Sequence, residues 1–310
     1  MPRVAIVGSI NMDLVIRSPR LPKPGENIFG YDFHTVPGGK GANAAVALSR
    51  LGAESIMVGR VGMDVFGPQL ISSLREAGVC TDYVVQDEEE ATGVALIIVE
   101  DEGENGIVMV NGANKNCSPS DIDALGKLWA SLDAVLVNFE IPLETVSYVI
   151  EQANARSVPI IVDAGPARPC PPEVWAGATI LSPNEVEAEA LSGQAIYDLD
   201  SARKVAEKLL RHGPRAVVLK LGDKGALLTH EGGFRHFPRL EVPVVDTTAA
   251  GDAFTAALTL AYVQGKTLEE AVDYANHAGA LAVTKLGAQP SMPKAEELAA
   301  FIATGELPES

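Results

Sequence analysis

Cysteines, basic residues and long apolar runs are all scarce in this 310-residue chain, and each shortage removes a class of protein. Cys80, Cys117 and Cys170 are widely spaced and odd in number. They form neither a CxxC pair nor an even disulfide framework, so a reducing, cytoplasmic setting is expected. His34, His212, His230, His236 and His277 contain no HxxxH or similar ligand pair, which speaks against a structural zinc site. Lys and Arg total 24 against 41 Asp and Glu, a formal net charge of -17. That argues against a nucleic-acid partner, because phosphate backbones are held chiefly by Lys and Arg. A small phosphate-bearing ligand stays possible, since a few N–H groups, one Lys and a divalent cation act at short range. No apolar run nears the roughly 20 residues of a membrane helix. Met-Pro-Arg leads directly into Val4-Ala5-Ile6-Val7, without the basic and apolar regions of a secretory signal, so no membrane partner is expected.

Two nucleotide signatures are missing too. Gly8-Ser9-Ile10-Asn11-Met12-Asp13 lacks the GxGxxG that a dinucleotide fold places after its first strand, which disfavours a Rossmann dehydrogenase. In Pro37-Gly38-Gly39-Lys40-Gly41-Ala42-Asn43 the lysine is followed by glycine and no hydroxyl residue, so the stretch is not a Walker A loop.

What is present is an alternation of short apolar, β-branched runs with amphipathic segments. Val4–Gly8, Ser55–Gly59, Ala134–Asn138, Pro159–Asp163, Thr179–Ser182 and Val217–Lys220 read as buried strands. Segments 44–51, 66–77, 119–130, 143–155, 185–191 and 201–212 read as helices between them. This is the pattern of an α/β fold, a central, mostly parallel sheet with helices on both faces. Asp13–Arg17 with Asn27–Thr35, and Thr92–Glu100 with Gly106–Asn111, look like hairpins without helices. They predict a small discontinuous β-sheet lid, from 11–40 and 90–112, inserted in a single catalytic domain spanning 1–310. Asp87-Glu88-Glu89-Glu90 reads as a solvated loop.

Three stretches carry chemistry. Val242–Val245 reads as a strand end and Ala253–Gln264 as a helix, so Asp246-Thr247-Thr248-Ala249-Ala250-Gly251-Asp252 sits at a strand-to-helix turn. There the first N–H groups lack partners, the helix dipole is positive, and small side chains let an anion reach the backbone beside Asp252. The same pattern also suits tight packing with an acid complementing the dipole. Gly38-Gly39-Lys40-Gly41-Ala42-Asn43 either lets a polyhydroxylated ligand lie against the backbone or is a glycine turn with a helix cap. Asn184-x-x-Glu187 either organises water around Mg²⁺ on phosphates or forms a capping box. Asn11, Asp13 and Glu140 follow strand ends, where amides and carboxylates can hold vicinal hydroxyls.

Together, in this order and at these separations, the three stretches resemble the diagnostic set of the ribokinase-like (PfkB) carbohydrate kinase family, essentially end to end. The chain is most similar to the ribokinase branch in Ser9-Ile10-Asn11-Met12-Asp13, Ala91-Thr92-Gly93-Val94-Ala95-Leu96-Ile97, Glu102-Gly103-Glu104-Asn105, Gly112-Ala113-Asn114 and Gly287-Ala288-Gln289-Pro290-Ser291. Ala249 stands where the family more often has Gly, a form typical of that branch.

The resemblance implies ATP-dependent phosphorylation of D-ribose at the 5-hydroxyl, with ribose and ATP as partners. Asp252 would be the base, and the N–H groups of Ala249, Ala250 and Gly251 the anion hole. Asn11, Asp13, Gly39, Lys40, Asn43 and Glu140, with Asp252, would hold ribose. Asn184, Lys220, Gly222, Asp223, Gly225, Gly251 and Asn276 would border the nucleotide, and Glu187 would act indirectly on Mg²⁺. A K⁺ activator would take Asp246, Thr248, Ala282, Lys285, Gly287 and Ser291, several through carbonyls. The lid would clasp a second subunit, giving a homodimer. Alternatives are a sibling kinase of another sugar or a nucleoside, and a sugar-binding protein without the chemistry.

Overall fold

The computed structural model describes residues 1–102 and 105–308. Among these residues the larger sheet has nine strands. From edge to edge they are Gly233–Phe237 (β13), Ala226–His230 (β12), Ala216–Lys220 (β11), Ile180–Ser182 (β10), Ile160–Asp163 (β9), Ala134–Asn138 (β8), Arg3–Val7 (β1), Glu54–Gly62 (β4) and Cys80–Asp87 (β5). Pairing is parallel from β11 to β5 and antiparallel only at β12 and β13.

The reason is in the side chains. Ala134–Asn138 is buried at every position, and β1 alternates its packing: Val4 and Ile6 face one apolar cluster, Ala5 and Val7 the other. Helices Lys40–Arg50, Ala250–Val263 and Leu268–Ala282 cover the first face, while Leu143–Ala155 and Leu199–Leu210 cover the second. A strand apolar on both faces is stable only when both faces are covered. The α/β class expected from the sequence is therefore the observed one.

A second sheet has four strands in the order β3-β2-β6-β7, namely Asp32–Gly38 (β3), Asn11–Ser18 (β2), Gly93–Glu100 (β6) and Asn105–Val110 (β7). Both expected hairpins are present, and β2 lies parallel to β6 between them. Gly103 and Glu104 lie outside the described residues. Asp64 ties this sheet to the larger one. One of its oxygens accepts from the N–H groups of Phe66 and Gly67 at the start of helix Phe66–Glu76, and from the Thr92 hydroxyl at 2.7 Å. The other accepts from Thr92 N–H at 2.7 Å, one residue before β6.

The structure differs from the sequence expectations in several places, among them helices Leu268–Ala282 and Ala295–Thr304, which were not expected, and β3, which begins at Asp32 rather than Asn27. Val242–Val245 is not a strand: Pro243 has no N–H, and the N–H groups of Val245 and Asp246 both bond Val283 O at the end of helix Leu268–Ala282. Segment 119–130 breaks into a short helix, Pro119–Asp123, and a 3-10 turn, Gly126–Ser131, because Gly126 has φ 48°. Asp87 is buried, accepting from Arg60 and from the N–H groups of Glu89 and Glu90. Finally, β5, β12 and β13 were not expected: β5 and β13 are half-exposed, polar-interrupted runs, and β12, although buried, offers only the short apolar run Ala226–Leu228 before Thr229 and His230.

Asp64→Ala should lower stability by about 1–2 kcal/mol, the scale of a lost helix cap. Amides of β6 should exchange with solvent faster while those of β8 keep their rates. Unchanged exchange in β6 would remove Asp64 as the tie between the sheets.

Candidate active site

Parallel strands deliver their carboxyl ends to one edge of a sheet, and the polar residues following them meet there. Asn11 and Asp13 follow β1, Glu140 follows β8, Asp163 ends β9, Asn184 and Glu187 follow β10, and Lys220 ends β11. Helix Lys40–Arg50 and helix Ala250–Val263 aim their N-termini at this edge. Gly39 makes the first approach possible: at φ 92°, a Cβ there would lie 2.7 Å from Asn11 N and 2.9 Å from Ser9 O.

On the side of β1 and β8 the groups interlock. Asn43 Nδ2 donates to Asp252 Oδ2 at 2.8 Å, and Lys40 Nζ lies 3.4 Å from Asp252 Oδ1. Glu140 Oε2 accepts from the Ser9 hydroxyl and, at 3.3 Å, from Lys40 N–H at the start of its helix. Asn114 Nδ2 donates to Asn11 Oδ1 at 2.7 Å. Asn11, Gly39, Lys40, Asn43 and Glu140 are thus brought together with Asp252, and Asp13 joins them through the charge effects below.

On the other side lies a cavity of ≈ 730 Å³. Asn184, Glu187, Lys220 and Gly222 line it near the strand ends; Asp223, Gly225, Asn276 and the Ala249–Asp252 turn complete the expected set. Asp252 and Lys40 border both sides. Asn184 and Glu187 form the capping box, with Glu187 N–H to Asn184 Oδ1 at 2.8 Å and Asn184 N–H to Glu187 Oε2 at 2.7 Å. The capping-box reading of NxxE is therefore the observed one, and both residues also line the cavity.

Ala249 caps helix Ala250–Val263 in the left-handed conformation, φ 59° and ψ 10°. Glycine adopts that conformation freely, whereas an L side chain costs roughly 1–2 kcal/mol. Asp252 then falls on the first helical turn. The Ala250 N–H makes a long turn bond to Thr247 O, 3.3 Å.

Asp246 Oδ1 accepts from Thr248 N–H at 2.9 Å and Thr248 Oγ1 at 2.6 Å, while Oδ2 accepts from Gly287 N–H at 2.9 Å. Lys285 N–H bonds Ala282 O, and Ser291 Oγ donates to Ala288 O. The six residues expected around a monovalent cation therefore occupy three adjoining segments. The Lys285 ammonium is directed away, to Glu297 at 2.9 Å.

The electrostatics follow from crowding. Burial, then Glu140 and Asp252, pushes the Asp13 carboxyl up to about 7. Burial also raises Glu140, against the pull of Lys40 and Ser9, and raises Glu187 against Lys220. Lys40 is held well above its ordinary value: burial opposes its charge, but Asp252, Asp163, Glu187 and Glu140 together outweigh it. Asp163 would be raised by burial, yet Lys220 and Lys40 hold it down at about 2.

Asp163 is the site residue the sequence reading did not single out. It pairs with Lys220 Nζ at 3.0 Å and accepts from Thr255 Oγ1 at 2.9 Å. The only trace in the sequence is an acid closing the apolar run Ile160–Val162; its burial and its cation partner come from the fold. Ser9, Asn114 and Thr255 left less trace, since small polar residues also serve as ordinary turn and cap residues.

Residues 1–295 match the family model described as pfkB family carbohydrate kinase. The chain is 40% identical to ribokinase of Bacillus subtilis over 299 residues, covering 96% of this chain and 98% of that protein. It is 33% identical to deoxyribokinase of Salmonella typhimurium, covering 98% and 99%. The structure of Arabidopsis thaliana ribokinase complexed with ribose and ATP superposes with a TM-score of 0.89 at 35% identity, covering 97% of this chain and 98% of that one.

Because the folded-state pKa of Asp13 lies above its ordinary 3.8, the fold favours the protonated form. Stability from this group is full below about 4, falls as pH rises towards about 7, and stays low beyond. Asp13→Asn should therefore match the parent near pH 4 and exceed it by about 1–2 kcal/mol at pH 8, less than the full shift at ~1.4 kcal/mol per unit because Asp13 keeps some water. Thermal melts at the two pH values check this; a gap independent of pH would contradict it.

Proposed function

From the membership of this chain in the pfkB family of carbohydrate kinases, we propose that it transfers the γ-phosphoryl group of ATP to the 5-hydroxyl of D-ribose, giving ribose 5-phosphate and ADP. One observation carries the reading. Asp252 lies on a helix N-terminal turn between a ≈ 730 Å³ cavity and a pocket of amides and carboxylates, bordering both. The ribose and ATP held by the Arabidopsis relative support this choice of the two ligands.

In this reading Asn11, Asp13, Gly39, Asn43 and Glu140 hold the sugar hydroxyls. Asp252 takes the proton of the 5-hydroxyl as its oxygen bonds the γ-phosphorus and the bond from that phosphorus to the β-bridging oxygen breaks. Lys40, 3.4 Å from Asp252 Oδ1, orients that carboxylate. The N–H groups of Ala249, Ala250 and Gly251 receive the charge on the transferred group, which in phosphoryl transfer is the main task. Asn184, Gly222, Asp223, Gly225 and Asn276 hold the nucleotide.

Mg²⁺ fits this site as a companion of the phosphates. Among the described residues no group of three or more His, Cys, Asp or Glu forms a metal cage. A cation that keeps several waters and binds mainly through phosphate needs no cage, and Glu187 can order those waters. K⁺ suits the loop beside the turn, where Asp246 already ties Gly287 to Thr248, and it would take carbonyl oxygens of Ala282, Lys285 and Gly287 there. Its charge would neutralise Asp246 and steady the turn.

The four-stranded sheet is proposed as the lid over the sugar and the contact of a homodimer. Its outer strand β7 exposes Ile107, Val108 and Val110 at more than half of their surface, and an exposed apolar edge strand needs a cover. Among the described residues no helix is long and apolar enough to cross a membrane.

The likeness to deoxyribokinase favours a second reading, with 2-deoxyribose as the sugar. Relative kcat/KM for the two sugars separates them, the first reading requiring ribose to lead.

Asp252→Asn should lower kcat on ribose by about 10²- to 10⁴-fold, the usual worth of a general base, while calorimetry still detects ribose. Near-normal turnover would end its role as base. Replacing Na⁺ with K⁺ at constant ionic strength should raise the rate severalfold; equal rates would remove the monovalent cation from the account.

A further inference from the structure

We infer that Lys220 is the protein's own cation for the phosphoryl group in transfer, and that Asp163 is the positioning residue that aims it; this rests on the kinase reading above. Nothing in the sequence pattern assigned Asp163 a part, and Lys220 entered only as a border of the nucleotide.

The geometry singles out this pair. The Lys220 side chain, 11% exposed, leaves the end of β11 and enters the cavity. A Cβ built on Gly251 would lie 3.7 Å from its Nζ, so the ammonium stands against the turn that carries the anion-hole N–H groups. A lysine side chain has four rotatable bonds and would otherwise sample many positions. Asp163, 4% exposed, removes that freedom. Its Oδ2 accepts from Lys220 Nζ at 3.0 Å, and its Oδ1 accepts from Gly165 N–H at 3.1 Å.

Thr255, fully buried on the same helix as Asp252, closes the arrangement. Its Oγ1 lies 2.9 Å from both Asp163 Oδ2 and Gly251 O, and 3.3 Å from Lys220 Nζ. It has one proton to give, to the carboxylate or to the carbonyl, and can accept from the ammonium in either case. The ion pair is thereby fixed to the helix turn itself as well as to the strands.

The two lysines of the site divide between two carboxylates. Lys40 is directed at Asp252, a reacting group in the proposed mechanism. Lys220 is directed at Asp163, which meets no reacting atom, and after its bonds to Asp163 and Thr255 its third N–H is available to an incoming phosphate. A charge held in place before the reaction stabilises the transition state without reorganising.

The test measures binding of a non-hydrolysable ATP analogue and of adenosine to the full chain by calorimetry. Lys220→Met should weaken the analogue by about 10- to 100-fold, the worth of a charge-assisted hydrogen bond, and leave adenosine unchanged. Asp163→Asn should weaken the analogue in the same direction by about tenfold. Lys220→Met combined with Asp163→Asn should match Lys220→Met within about twofold, because a positioning residue has nothing left to position. That double variant removes both charges of the pair, so it carries the comparison even where Asp163→Asn alone fails to fold. Wild-type analogue affinity in either single variant, a parallel loss for adenosine, or a further loss in the double variant would overturn the inference. Absence of sugar phosphorylation by the parent chain would instead sink the kinase reading, which these binding measurements do not use.

Discussion

Five carboxylates, those of Asp13, Glu140, Asp163, Glu187 and Asp252, converge at one edge of the large sheet with only two ammonium groups, Lys40 and Lys220, among them. Removing charge from water is costly unless partners replace the solvent. The rest of the site is arranged around that cost. Lys40 is held charged against its burial, Asp163 is matched by Lys220, and Glu140 and Glu187 accept N–H groups at helix starts, where the dipole favours negative charge. Among the described residues no cation pairs with Asp13, and burial, with Glu140 and Asp252 beside it, pushes its carboxyl up to about 7.

Such an excess of acid makes sense for the proposed substrates. A sugar brings only hydroxyl groups, each able to donate to a carboxylate, so the pocket that repels itself when empty is satisfied when filled. A nucleotide triphosphate brings further negative charge and must be met differently. In the proposed reading it is met by backbone N–H groups, Lys220 and a divalent cation bound to the phosphates. Asp252 stands where the two requirements meet, with Asn43 and Lys40 holding it. The fold supplies this by topology, since five parallel strands end at the same edge and two helices begin there.

Much of this was legible in the sequence because it depends on local pattern. Buried parallel strands such as Ala134–Asn138 leave continuous apolar runs, and Gly39 and the Ala249–Gly251 turn announce close backbone approach. What escaped depends on pairing across the fold. Val242–Val245 has β-branched composition but finds the end of a helix as its hydrogen-bonding partner. The edge strands β5 and β13, and β12 beside the latter, are specified by neighbours rather than by periodicity. Asp163 looked like the end of a strand because its meaning resides in Lys220, 57 positions away in sequence and 3.0 Å away in space.

The central claim is that the sugar relieves an acid pocket by donating hydrogen bonds to it, and proton exchange on binding tests this most directly. Ribose binding measured by calorimetry near pH 7, in two buffers of different ionisation enthalpy, counts the protons exchanged. Donation to Asp13 favours its ionised form, so binding is predicted to release a fraction of a proton, with no release in Asp13→Asn. Identical heats in both buffers for the parent chain, or proton uptake, would contradict the account.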